Sequence, residues 1–248
     1  MKKILILKTG STVKPLRDRG EDFEDWIIAG CELPASWFET IEVFTGESMP
    51  VPDRDRWLAV IVTGSPAFVT DREPWSEAAA RFLRSAVQLD IPILGICYGH
   101  QLLAHCLGGR VGDHPRGREI GTVVIDLNAA GRKDRLLGDL PACFKGQVSH
   151  SQSVLEMPPA AILLAGSEFE PHQAFRIGER AWGVQFHPEF SASVVRAYIQ
   201  DRHQQLLQEH LDPRRLSETV EPTPEAASLL ARFVQLATAD STAAKVSC

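Results

Sequence analysis

The stretch Ile91–Gly109, reading IPILGICYGHQLLAHCLGG, constrains this chain more than any other. It begins as an apolar run to Ile96, interrupted only by Pro92 and Gly95. It then changes period: Leu102, Leu103, Cys106 and Leu107 recur at helical spacing until Gly108-Gly109 ends the pattern. A buried strand, a sharp turn and a short glycine-capped helix satisfy both halves. Cys97 stands on the turn, with Gly95 and Gly99 two residues away on either side. That is the layout of a nucleophile elbow, with cysteine where other hydrolases carry serine. The glycines leave room for a tight turn. The helix N-terminus turns unpaired N–H groups and a partial positive charge toward the thiol, which favours the thiolate. Alone, Cys97 reads equally well as a small buried apolar residue, so the rest of the chain has to decide.

Strand and helix alternate through the first half. Lys2 to Lys8 predicts a strand buried on both faces, as at the centre of a parallel sheet. Asp22-Phe-Glu-Asp-Trp-Ile-Ile predicts a helix with acids in its first turn. Glu39 to Thr45 and Trp57 to Thr63 predict strands. Pro74 opens a helix with the stripe Trp75, Ala78, Ala79, Phe82, Leu83, Ala86 and Val87. This order implies an α/β fold: a doubly wound, mainly parallel sheet with helices on both faces. Ligands of such sheets sit beyond the carboxyl ends of the strands, where both Thr63-Gly-Ser-Pro66 and Cys97 fall.

After Gly109 the segments shorten into a small antiparallel region: Gly121 to Leu127, Phe144 to Val154, and Ile162 to Ala165. A hairpin of Gln173 to Ile177 and Ala181 to Phe186 turns on Gly178-Glu-Arg. Ser191 to about Leu211 is helical, and Thr223-Pro-Glu starts a last helix. Residues 239–248 are small and polar and read as a frayed tail. With no linker or repeat, residues 1–238 read as one domain, with 191–238 as a C-terminal helical extension.

A cysteine nucleophile needs a base, and the base needs a group to orient it. His187-Pro-Glu189 supplies both, because residues two apart on an extended segment project to the same side. Composition removes competing chemistries. A net charge of −6 argues against a nucleic-acid surface. Cys31, Cys97, Cys106, Cys143 and Cys248 have neither zinc nor disulfide-framework spacing, which suggests a reducing, cytoplasmic setting. The first apolar run stops at Lys8, too short for a leader, and no stretch is long enough to cross a bilayer. No phosphate-binding glycine loop precedes a Lys-Ser/Thr pair, and no ligand cluster has metal spacing. We therefore expect no cofactor and no metal.

With these pieces in place the sequence resembles the class I, triad-type glutamine amidotransferases, and within them the glutaminase part of GMP synthase and free-standing proteins like it. The matching motifs are Gly95-Ile-Cys97-Tyr-Gly-His-Gln101, Thr63-Gly-Ser-Pro66, Gly108-Gly109, Val148-Ser-His-Ser-Gln-Ser-Val154 and Gly183-Val-Gln-Phe-His187-Pro-Glu189. They cover roughly residues 1–200 in the family's order. The resemblance implies a flavodoxin-like sheet and a catalytic triad of Cys97, His187 and Glu189. It also implies an oxyanion hole from the backbone N–H groups of Ser65 and Tyr98, and substrate contacts from Gly64, Gln101, Ser149, His150 and Ser151. Ser65 departs from the family's glycine and must tolerate the turn. His150 reads as a structural, hydrogen-bonded histidine, His105 as packed or water-facing, Cys106 as core, and Arg118-Glu119 as a solvated charge pair in preference to a pair at the pocket rim.

Three functions stay open at this point. One is a glutaminase passing ammonia to a separate synthetase partner, since the chain has no room for an ATP-using domain. The second is a free-standing hydrolase of γ-glutamyl peptides or conjugates with the same thioester chemistry. The third is a non-catalytic regulatory subunit. A pocket around the leaving group separates the first two, because ammonia needs a small exit and a peptide needs a groove.

Overall fold

The computed structural model describes residues 2–246, with side chains to residue 241. In chain order its elements are β1 (Lys3–Lys8), α1 (Lys14–Arg17), α2 (Phe23–Gly30), β2 (Phe38–Glu42), β3 (Trp57–Val62), α3 (Pro74–Gln88), β4 (Ile93–Ile96) and α4 (Tyr98–Cys106). There follow β5 (Arg110–Asp113), β6 (Glu119–Leu127), β7 (Cys143–His150), β8 (Gln152–Glu156), β9 (Ala161–Gly166), β10 (Ala174–Ile177) and β11 (Ala181–Val184). The chain closes with α5 (Ala192–Asp201), α6 (His203–Gln208), α7 (Pro213–Thr219) and α8 (Pro224–Val246).

Nine strands form one sheet in the order β2-β1-β3-β4-β11-β10-β9-β6-β7, and β5 and β8 form a separate two-stranded sheet. β2, β1, β3, β4 and β11 run parallel. β10, β9, β6 and β7 extend them antiparallel. The sheet is covered on both sides, as its alternation dictates. Ile4, Ile6, Ile61 and Leu94 pack with Ile27 of α2 and Leu230 and Phe233 of α8. Leu5, Leu7, Val60 and Val62 point the other way, against Phe82 and Leu83 of α3 and Leu102 and Leu103 of α4. The predicted hairpin forms, with β10 and β11 joined through Gly178 at φ 57°.

Two local readings change. The segment Phe144 to Val154 is two strands: β7 stays in the main sheet, whereas β8 leaves it at Ser151 to pair with β5. Helix α7 was not anticipated; Asp212 caps it by accepting from the N–H groups of Arg214 and Arg215, with Pro213 in its first turn. Helix α8 runs on past residue 239 to Val246. Asp240 ties that stretch down through Arg135 at 2.7 Å and Arg180 at 3.3 Å, and no glycine or proline interrupts it. Residues 247 and 248 lie outside the described residues.

Candidate active site

The elbow is as tight as its glycines imply. Cys97 sits at φ 50°, ψ −97°, between β4 and α4, a conformation that costs about 1–3 kcal/mol and survives only where its surroundings impose it. A side chain at Gly95 would bring a Cβ to 2.4 Å from the Gly99 carbonyl oxygen, and one at Gly99 to 2.6 Å from the Val62 carbonyl. The Cys97 N–H is held by Val184 of β11 at 2.8 Å. The thiol is buried, its sulfur 3.9 Å from the Ser149 carbonyl oxygen.

Just beyond β11, the His187 N–H donates to Gln147 at 2.7 Å, bringing the imidazole over the elbow. Its Nδ1 lies 2.7 Å from Glu189 Oε1, and the ring borders the same cavity as Cys97. Phe190 stacks on the ring face at 3.9 Å, and a Cβ at Gly64 would come within 2.9 Å of Cε1. Burial opposes a charge on this ring. The Glu189 carboxylate and Cys97 outweigh it and push the pKa up to about 10, so the ring carries a proton at neutral pH.

Ser65 follows β3. Its Oγ donates to the Thr9 carbonyl at 2.7 Å and accepts from the Ala67 N–H at 3.1 Å. Its φ is not positive, so a serine fits where the family's glycine was the reference. Among the described residues neither the Ser65 nor the Tyr98 N–H meets a protein acceptor. Both residues line a cavity with Cys97.

Gln101 is buried rather than solvent-facing: its Nε2 donates to the Gln152 carbonyl at 2.8 Å and to Gln185 Oε1 at 3.0 Å. With both amide hydrogens committed, its oxygen is what it offers the cavity. Ser149, His150 and Ser151 line the same cavity. The His150 ring is occupied, by Glu119 at 3.0 Å and the Gln152 carbonyl at 3.0 Å, so this stretch presents backbone more than side chain. The reading of Arg118-Glu119 as a solvated pair fails: Glu119 is buried against His150, while Arg118 lines the cavity and pairs with Glu209 at 2.8 Å. His105 meets Glu77 at 3.0 Å.

Two cavities meet at Cys97. The smaller, about 180 Å³, is lined by Gln101, Ser149, His150, Ser151 and Gln152. The larger, about 570 Å³, lies on the His187 side and is walled by the loop after β1 (Thr9 to Thr12), Phe44, Trp75 and Tyr198. Sequence reasoning missed one of the residues both share, Arg202, where α5 meets α6. Its guanidinium lies over the Tyr198 ring at 4.6 Å. Among the described residues its side chain makes no ion pair, and its buried Nη1 has no hydrogen-bond partner. Burial holds its pKa below the ordinary value. No group of three or more His, Cys, Asp or Glu among the described residues could hold a metal ion. None of the helices formed by these residues is long and apolar enough to cross a membrane.

A cysteine elbow at the carboxyl end of a parallel strand, with a carboxylate-backed histidine lining the same cavity, sits on a doubly wound α/β fold. Residues 40–204 match the family model for glutamine amidotransferase class-I, and the chain belongs to that family. It is 41% identical over 144 residues to GMP synthase [glutamine-hydrolyzing] of Aeropyrum pernix, covering 58% of this chain and 25% of that protein. It is 27% identical over 179 residues to gamma-glutamyl peptidase 3 of Arabidopsis thaliana, covering 71% of this chain and 67% of that protein. The chain thus spans about a quarter of the length of the GMP synthases it matches. Among solved structures, a glutamine amidotransferase from Thermotoga maritima superposes with a TM-score of 0.73 at 23% identity, over 95% of this chain and 97% of that one. One from Methylobacillus flagellatus gives 0.71 at 24%, over 96% and 93%. These two likenesses bear on the fold.

Proposed function

We propose that Cys97, His187 and Glu189 act as a catalytic triad that hydrolyses the side-chain amide of glutamine, or of a γ-glutamyl compound, through a cysteinyl thioester. The Cys97 sulfur attacks the γ-carbonyl carbon. The Ser65 and Tyr98 N–H groups stabilise the resulting oxyanion, each donor worth about 3–4 kcal/mol. His187 delivers its Nε2 proton to the departing nitrogen as the C–N bond breaks, leaving a thioester. It then takes a proton from water, which attacks the thioester carbon, and glutamate leaves as the S–C bond breaks. Glu189 keeps the ring in the orientation in which Nδ1 is protonated. The observation that carries this reading is the 2.7 Å contact joining Glu189 to a ring that lines the same cavity as Cys97.

By analogy with relatives named GMP synthase [glutamine-hydrolyzing], ammonia released from glutamine is passed on to a synthetase. The second reading, a hydrolase of γ-glutamyl peptides or conjugates, draws on the large cavity at His187 and on the relative named gamma-glutamyl peptidase 3. Glutamate release by the purified chain from glutamine and from a γ-glutamyl dipeptide tests both. Cys97→Ala should abolish release from either, and full residual activity would refute the nucleophile. A fold-competent wild type that is silent on both, with Cys97 inert to an alkylating agent, would favour a regulatory role.

A further inference from the structure

The two cavities divide the substrate. Cys97 and Ser65 border both, but Gln101, His150, Ser151 and Gln152 line only the small one, and His187 lines only the large one. A proton donor must stand on the side of the leaving nitrogen. The γ-glutamyl group therefore occupies the small cavity, and whatever is attached to the nitrogen extends into the large one. Ammonia is close to water in size, and water takes up about 30 Å³; the cavity offers about 570 Å³.

The wall of the large cavity selects among amines. Its carboxylates, Asp71, Glu73 and Asp201, are all exposed, as are Lys14 and Arg17. Deeper in, Arg202 is a cation with no ion pair among the described residues and a buried Nη1 without a hydrogen-bond partner. A guanidinium carries five donors in a fork that matches a carboxylate, and a buried N–H without an acceptor is costly. Tyr198, fixed by Thr12 at 2.8 Å, braces the guanidinium from below and keeps it at the cavity wall. On the small side Arg118 already has Glu209 and backbone lines the site, so the unmet demand for an anion is best answered from the large side.

We propose that Arg202 receives the carboxylate of an amino-acid or peptide leaving group, making γ-glutamyl amino acids the substrate class of this site; the proposal rests on the thioester reading above. The amide C–N bond breaks as the Cys97 S–C bond forms, and the proton from His187 goes to the leaving nitrogen. The product is a free amine that still carries its own carboxylate. Water then releases glutamate and restores the thiol.

Three substrates separate the alternatives: γ-glutamylglycine, γ-glutamylethylamide, which lacks the second carboxylate, and glutamine. Wild-type kcat/KM should favour γ-glutamylglycine over the ethylamide by about tenfold or more, the worth of a charge-assisted hydrogen bond. Arg202→Met should collapse that ratio to near unity, mainly through KM, and Arg202→Lys should restore part of it. A wild type with no such preference, or a ratio unchanged in Arg202→Met, would overturn the proposal. So would an equal loss on all three substrates, which would mean that Arg202 holds the γ-glutamyl group's own carboxylate. Calorimetric binding of γ-glutamylglycine and the ethylamide to Cys97→Ala, with and without Arg202→Met, reads the same ratio without turnover. Failure of the thioester reading therefore shows as absent hydrolysis with the binding preference intact.

Discussion

Replacing Glu189 with glutamine removes a charge and leaves the shape. The carboxylate lies 2.7 Å from His187 Nδ1 in a buried setting, and its second oxygen has no partner. In Glu189→Gln, the amide oxygen can still face Nδ1, but the amide nitrogen is then buried without an acceptor. Breaking a buried charged pair costs about 3–5 kcal/mol, so if the imidazolium is needed in the transition state the rate should fall about 10²–10⁴-fold. The pH dependence should move as well. His187 is raised from 6.5 to about 10 with Glu189 among the causes; without it, burial acts against the charge and the alkaline limb of the kcat/KM profile should shift to lower pH. The same pair stabilises the fold. Because the folded pKa is raised, that contribution is fully present below about pH 6.5 and fades as pH climbs toward about 10. The assay is glutamate release from pH 5 to 10 together with chemical denaturation across the same range. A Glu189→Gln protein with a rate within about threefold of wild type and an unmoved profile would refute the reasoning.

Further substitutions probe the frame around the site. Gly95→Ala sets a Cβ against three backbone atoms of the elbow, the nearest at 2.4 Å. It should destabilise by about 3 kcal/mol and lower the melting temperature by roughly 6–12 °C, which calorimetry would show; an unchanged melting temperature would mean the elbow is not tight. His100, beneath the elbow against Gly183 and Phe175, has no well-formed partner for either ring nitrogen, and burial pushes its pKa down to about 3. Its folded pKa lies below its unfolded one, so stability is lost as pH falls below about 6.5. Between pH 6.5 and 5, wild type should lose about 2 kcal/mol more than His100→Leu, measured by urea denaturation; parallel losses would show that His100 titrates normally.

The elbow was legible because every part of it is local: one period change, one cysteine and two glycines within five residues. His187 and Glu189 were legible for the same reason, as a spacing of two on an extended segment. The Ser65 turn was harder, since a serine in a glycine's place is judged by φ and by the Thr9 carbonyl it reaches across 56 residues. Arg202 was not legible at all. It follows Gln200 and Asp201 and precedes His203, in what reads as a solvated helix face. It reaches the site because Tyr198 bonds Thr12, 186 residues earlier, an encounter that no local pattern encodes. The antiparallel strands were seen but not their destination: β8 differs from β7 in sheet, not in pattern.

Everything assigned to the site depends on sulfur bonding covalently to a γ-carbonyl carbon. Rapid acid quenching during turnover, followed by intact-mass and peptide mass spectrometry, addresses this directly. An adduct of one γ-glutamyl group should appear on Cys97 and on no other cysteine, should accumulate when His187 is replaced by asparagine if thioester hydrolysis is slowed more than its formation, and should be absent from Cys97→Ala. Glutamate release at the full rate with no adduct on Cys97, or with Cys97→Ala still turning over, would contradict the assignment.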